Sequence, residues 1–299
     1  MGEIPHFAGV ELGGTKSIAV LARGDEIVER VAGPTGTPEE TLGRISQQLK
    51  RWQSEHGFAA LGIASFGPLQ LDRGLSGFGD MLATPKPGWS HARVAASLSE
   101  GLDCPWRIDT DVNGAALAEY RWGAGAGCSS VCYITIGTGV GGGLVIGGKP
   151  VHGAMHPEIG HLHLRRAPGD DFAGTCPFHG DCVEGLICGP ALAARLGGDP
   201  AQVPDDDPRW QAIASDIAEM VGIILLTVSA QRVLIGGGVG LKRAFLLPRV
   251  RQMVLERLGP YLPFLDKDSI ETIIAPPALG DDAGPLGAIA LAQAASAEA

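Results

Sequence analysis

The chain is poor in aromatic residues, which form 5% of it, and it has no long uninterrupted apolar stretch. No run reaches the roughly 18 uncharged apolar residues that a membrane-spanning helix needs. Met1 to Phe7 shows no basic start followed by an apolar core, so no signal peptide is read there and a soluble, cytoplasmic protein is expected. Positive charge is short as well: 23 Lys and Arg stand against 33 Asp and Glu, a formal net charge of −10, and no basic cluster stands out beyond Arg165-Arg166. A phosphate backbone demands a basic footprint, so nucleic acid is excluded as a partner. The 6 cysteines are too sparse in 299 residues to suggest a disulfide framework. Cys104, Cys128, Cys132 and Cys188 read as small buried residues, none with a catalytic role.

Glycine is abundant, at 45 residues, within a composition that is 45% hydrophobic. That mixture suits an α/β protein, and the length allows two domains or one large one. Phe7 to Val31 reads as strand, glycine turn, strand, turn and strand, an antiparallel meander. Gly13, Gly14, Thr15 and Lys16 fall at the first hairpin tip, where backbone amides without side chains can approach phosphate oxygens. A plain tight turn explains the same glycines. The spacing predicts a helix over 37–56, with Thr37 as cap and Pro38 in the first turn. A short strand then ends at Gly67-Pro68, followed by a long glycine-rich loop over 69–89 that is a candidate substrate wall or lid. A strand over 106–109 runs into Asp109-Thr110-Asp111-Val112-Asn113 ahead of a helix over 114–120. An acid at a strand-to-helix junction stands where α/β folds place their chemistry, although Asp111 as a simple cap, with Asp109 and Asn113 as ordinary loop polars, fits as well. Val131 to Val151 repeats the opening theme, with Gly137, Thr138 and Gly139 at its hairpin tip; two such tips facing each other would hold a polyphosphate. Gly236, Gly237 and Gly238 follow a buried strand and precede a helix over 242–258.

Two kinds of chemistry crowd into 156–185. His161, Cys176, His179 and Cys182 give H-x14-C-x2-H-x2-C, a thiolate and imidazole set suited to a closed, structural zinc site. His152, His156 and His163 stand nearby, so the spacing leaves open which histidine completes the set. Glu158 and Glu184 bracket the run, as supports for the metal or as acceptors for neighbouring sugar hydroxyls.

Taken together, Glu11 to Lys16, Asp111-Val-Asn113, Gly137 to Gly143, Glu158-Ile-Gly-His161, the Cys/His/Cys run with Glu184, and Gly236 to Val239 resemble the ROK family of sugar kinases, in that order along the chain. Within the family the HPEIGH and CPFHGDC-x-EG runs are most similar to bacterial fructokinases. The resemblance implies a duplicated actin-like (ribonuclease-H-like) two-domain α/β fold with an interdomain cleft. Its N-terminal domain would cover 1–115, with the C-terminal helix, about 286–299, packing back on it. A larger domain over 116–285 would carry the zinc segment 156–184. The resemblance further implies ATP, Mg2+ and structural Zn2+, and transfer of a phosphoryl group to a hexose, D-fructose first, with Asp111 as general base. Gly67, Thr110, Asn113, Glu158, His161 and Glu184 would hold the sugar. The two glycine hairpins would hold phosphates, and Gly236 to Gly238 the nucleotide's adenosine side. A homodimer is implied too. Glu11 and Thr110 depart from the wider pattern, which has Asp and Asn there, and glucose, mannose and N-acetylmannosamine remain alternative substrates. Family members that act as sugar-sensing repressors carry a helix-turn-helix before the first hairpin, where this chain has about six residues, and the acidic balance opposes DNA.

Overall fold

The computed structural model describes residues 4–299. The chain forms two compact units, Met1–Trp122 with Lys149–Pro157 and Leu279–Ala299, and Gly123–Gly148 with Glu158–Ala278.

In the first unit β1 (His6–Leu12), β2 (Lys16–Arg23) and β3 (Glu26–Pro34) form an antiparallel meander. β4 (Leu61–Ser65) and β5 (Trp106–Thr110) add in parallel on the far side of β1, giving the order β3-β2-β1-β4-β5. Every residue of β4 is buried, as a central strand covered on both faces requires, whereas the edge strand β3 has none buried. Helix α1 (Pro38–Glu55) starts at a capping box in which Thr37 and Glu40 satisfy each other's backbone amides, and Gly57 follows it at φ +65°. Its buried face, Leu42, Ile45, Leu49 and Trp52, packs into the main core with Trp89 and Met81 from the 69–89 loop. α2 (Val94–Ser99) follows that loop.

Helix α3 (Asp111–Trp122) begins at Asp111 and not at Gly114, because the Thr110 hydroxyl accepts the Asn113 N–H and closes the first turn early. The boundary expected at residue 115 falls inside this unbroken helix, and the units divide after Trp122. The C-terminal helix Ala283–Glu298 lies against β1, β4 and α3. Small residues set that approach: a Cβ on Gly62 would fall 1.9 Å from the Ala288 carbonyl oxygen, and one on Gly287 would fall 2.3 Å from Gly114. Gly62→Ala should therefore destabilise the protein by about 1–3 kcal/mol, measured by denaturant unfolding, since it overfills a closed contact between backbones.

In the second unit β6 (Ser130–Ile136) and β7 (Val140–Ile146) form an antiparallel hairpin. The strand Arg232–Gly236 pairs in parallel on the other side of β6, and Ile274–Ala275 pairs in parallel beyond it. That is the relation of β2, β1, β4 and β5, so the repeat read in the two glycine hairpins extends to strand order. α4 (Val183–Ile187), α5 (Gly189–Leu196) and α6 (Arg209–Val228) follow the zinc-type segment. α6 is long and apolar enough to cross a membrane by length and composition, but Trp210, Ile213, Ile217, Met220 and Ile224 are buried in the unit, as in the core helix of a globular protein. The helix expected over 242–258 is two: Gly237–Lys242 starts within the glycine run, and Leu246–Leu258 follows after Arg243 leaves helical geometry at φ −117°, ψ 43°.

Candidate active site

In the first unit the junction of β5 and α3 gathers acids and their partners. Asp109, 1% exposed, accepts the Thr110 N–H and an Asn113 amide N–H through Oδ1, each at 2.8 Å. A ring nitrogen of His152, Nε2, lies 3.1 Å from the same oxygen and 3.0 Å from Oδ2. Asp109 and Asn113 are thus not ordinary loop polars: both are buried, and together they fix the first turn of α3. The Thr110 hydroxyl is occupied as that helix's cap. Asp111 follows, half-buried, its Oδ1 accepting its own neighbour's Val112 N–H at 2.9 Å. Two effects oppose each other on this carboxyl. The helix N-terminus and the backbone hydrogen bonds favour the anion, but burial outweighs them and raises its pKa to about 6. Glu11 on β1 is raised to about 7, by burial first and then by the negative charge of Asp111.

At the β1–β2 tip, Gly13 N–H donates to the Lys16 carbonyl at 3.0 Å, and the Thr35 hydroxyl donates to the Gly13 carbonyl at 2.8 Å. Gly14, Thr15 and Lys16 are exposed, and a Cβ on Gly14 would meet nothing within 4 Å. Lys86 reaches this tip from the 69–89 loop, its Nζ donating to the Gly14 carbonyl at 2.7 Å and the Thr35 carbonyl at 3.3 Å. Gly67 lies beside His156, whose Nε2 accepts the Leu69 N–H at 3.1 Å.

In the second unit His161 Nδ1, Cys176 Sγ, His179 Nδ1 and Cys182 Sγ converge, all within 4.8 Å of one another. Their sulfur-to-nitrogen separations are 3.5 Å, 3.8 Å and 3.9 Å. Tetrahedral zinc with Zn–S near 2.3 Å and Zn–N near 2.0–2.1 Å implies an edge of about 3.6 Å, so donor types and spacing fit a closed zinc site. Of the histidines left open by spacing, His161 completes the set. His163 faces Asp181 at 3.7 Å, and His152 and His156 belong to the first unit. An ion network braces the segment: Arg166 pairs with Asp170 at 2.8 Å and with Asp181 at 3.4 Å, and Arg195 on α5 joins Asp170 to the buried Asp216 on α6.

The same unit brings other expected site residues close together. Glu184 Oε2 accepts the Val140 N–H at 3.0 Å, and a Cβ on Gly139 would fall 2.7 Å from that oxygen, so the acid sits against the second hairpin tip. Gly137 accepts the Gly189 N–H at 2.7 Å, while Thr138 is exposed. Gly237 has φ +79° and packs on the end of β6, where a Cβ would fall 2.5 Å from the Ile136 nitrogen, whereas Cβ atoms on Gly137 and Gly238 would meet nothing. Gly236 is buried against Tyr133. Glu158 is exposed just ahead of Gly160, whose missing Cβ would fall 1.9 Å from the Val140 carbonyl oxygen, so the glutamate's segment is pressed onto β7. Asp111, Thr110, Asn113 and Gly67 therefore lie in one unit, and Glu158, His161 and Glu184 in the other. His152, read from spacing only as a spare metal-type histidine, and Asp109, read as a loop polar, belong instead to the start of α3, and Lys86 is a polar group at the first tip that spacing did not single out.

Known proteins resemble this chain over nearly its whole length. The fructokinase of Zymomonas mobilis is 44% identical over 300 residues, covering 97% of this chain and 97% of that protein. The fructokinase of Pediococcus pentosaceus is 36% identical over 292 residues, covering 97% of this chain and 98% of that one. Among solved structures, the ROK hexokinase of Thermus thermophilus superposes with a TM-score of 0.77 at 27% identity, covering 98% of this chain and 100% of that chain. The ROK family model matches residues 7–295, and the chain belongs to the ROK family, with the duplicated, actin-like sugar-kinase fold.

Proposed function

We propose that this protein transfers the γ-phosphoryl group of ATP to the terminal hydroxymethyl of a hexose, with D-fructose the preferred acceptor. The observation that carries the chemistry is Asp111, a half-buried carboxyl at the start of α3 with its pKa raised to about 6. Such a group is still ionised at neutral pH, yet basic enough to take the hydroxyl proton as that oxygen attacks. The preference for fructose rests on the names of the relatives that match nearly the whole chain.

In this reading the open backbone at Gly13 to Lys16 and at Gly137 to Gly139 serves the phosphates, and Gly236 to Gly238 serves the adenosine side. Gly67, Thr110, Asn113, Glu158, His161 and Glu184 serve the sugar. Mg2+ bound with the nucleotide would neutralise charge that develops on the transferred group. Zinc held by His161, Cys176, His179 and Cys182 would be structural, since four protein ligands leave no open position. Its contribution is to fix the segment on which Glu158 and Glu184 are placed, and orientation is most of what phosphoryl transfer asks of a protein. The resemblance adds a homodimer.

A coupled assay of ADP release with fructose, glucose, mannose and N-acetylmannosamine tests the reading. The expected result is a kcat/KM for fructose at least tenfold above the others. Preference for glucose or an amino sugar would displace fructose, and no ADP release with any hexose would remove the kinase assignment itself.

A further inference from the structure

The roles above leave His152 unused. Its ring is 34% exposed at the side chain and stands at the first turn of α3, next to the residues assigned to the sugar. Nε2 faces Asp109, a carboxylate that is 1% exposed and also receives the Thr110 and Asn113 N–H groups. An imidazole that donates from Nε2 to a buried carboxylate has a fixed tautomer, and its other nitrogen becomes a lone-pair acceptor. No described residue pairs with that nitrogen, Nδ1. The neighbouring His156 is spent differently: it is buried and accepts the Leu69 N–H at 3.1 Å, which makes it a pin for the turn after Gly67.

We propose that His152, aligned by the buried Asp109, is a hexose-binding residue whose Nδ1 accepts a hydrogen bond from a sugar hydroxyl. The arrangement repeats a common device in which a carboxylate behind a histidine sets which nitrogen faces outward. If pairing with Asp109 were the whole role, one nitrogen would suffice and the exposure of a third of the side chain would be incidental. Asp109 in turn is a positioning residue: it holds His152, the Thr110 amide and Asn113 in one arrangement beside Asp111. Pairing with Asp109 also holds the imidazole's pKa above its usual value, against burial, which opposes it, so Nδ1 is the acceptor in the neutral ring and ceases to accept once the ring is protonated at low pH.

The inference rests on the hexose-kinase reading, so the wild type is assayed first. If it phosphorylates no hexose, the kinase reading fails. If it does, His152→Phe, which keeps the ring's bulk and removes both nitrogens, should raise KM for the hexose at least tenfold, about 1.4 kcal/mol of binding. KM for ATP should stay within a factor of two and kcat within a factor of three. A purely structural role would instead lower thermal stability and disturb both substrates alike. On wild-type protein labelled with 15N-histidine, saturating fructose without ATP should shift the Nδ1 resonance that is missing from the His152→Phe spectrum. A wild-type hexose KM in the variant, or an Nδ1 resonance unmoved by fructose, overturns the proposal; the labelled wild-type spectrum decides it even if the variant fails to fold.

Discussion

Asp111→Asn is expected to lower kcat by about 10²–10⁴ while leaving the affinities for hexose and ATP near wild type, because it removes the proton acceptor but almost no volume. Single-turnover rates and binding isotherms measured on the same preparation would separate the two. The pH dependence carries a second signature. In the wild type the base must be ionised, and burial raises the Asp111 pKa to about 6. Below that value the group is protonated, so kcat/KM should fall about tenfold per pH unit on the acid side and level off above it. The asparagine variant should lose this limb. It should also lower the pKa of Glu11, since the Asp111 charge is one of the causes that raise it. A variant with near-normal kcat would assign the base elsewhere.

The second large effect concerns the metal. Cys176→Ser removes one of two thiolates from the cluster of His161, Cys176, His179 and Cys182. The wild type should carry about one zinc per chain by atomic absorption, and the variant much less, because loss of a ligand in a closed site weakens binding steeply. Thermal unfolding should begin at a temperature lower by about 5 °C or more. Hexose KM should rise about tenfold, since Glu158 and Glu184 sit on either side of the cluster, while KM for ATP changes little. The Arg166 and Arg195 ion network should keep the segment attached to α5 and α6 in the metal-free protein, so the loss should be local and not a general unfolding. Full activity in zinc-free protein would contradict the structural role.

How much of this was legible in the sequence depended on the range of the contact. The glycine tips and the Cys/His run are written in short spacings, and the four metal-type residues come together because three of them lie on one tight loop. Long-range pairings carry no such mark. His152 reaches Asp109 across 43 residues, and Lys86 reaches Gly14 across 72, so neither appears in a local pattern. The start of α3 departs from the sequence expectation for a local reason: Thr110 has low helix propensity, but its hydroxyl makes it a cap, and the helix begins three residues before Gly114. The glycine run at 236–238 reads as a strand-to-helix turn ahead of a helix from 242, yet it opens a helix directly, because only glycine fits the close approach of residue 237 to β6 at positive φ.

The most direct test is the identity of the product. With fructose and ATP, 31P nuclear magnetic resonance of the reaction mixture should show one new phosphomonoester on the terminal hydroxymethyl carbon, fructose 6-phosphate, appearing in step with ADP. ADP accompanied only by inorganic phosphate, or phosphate placed on the other hydroxymethyl of the sugar, would contradict the account.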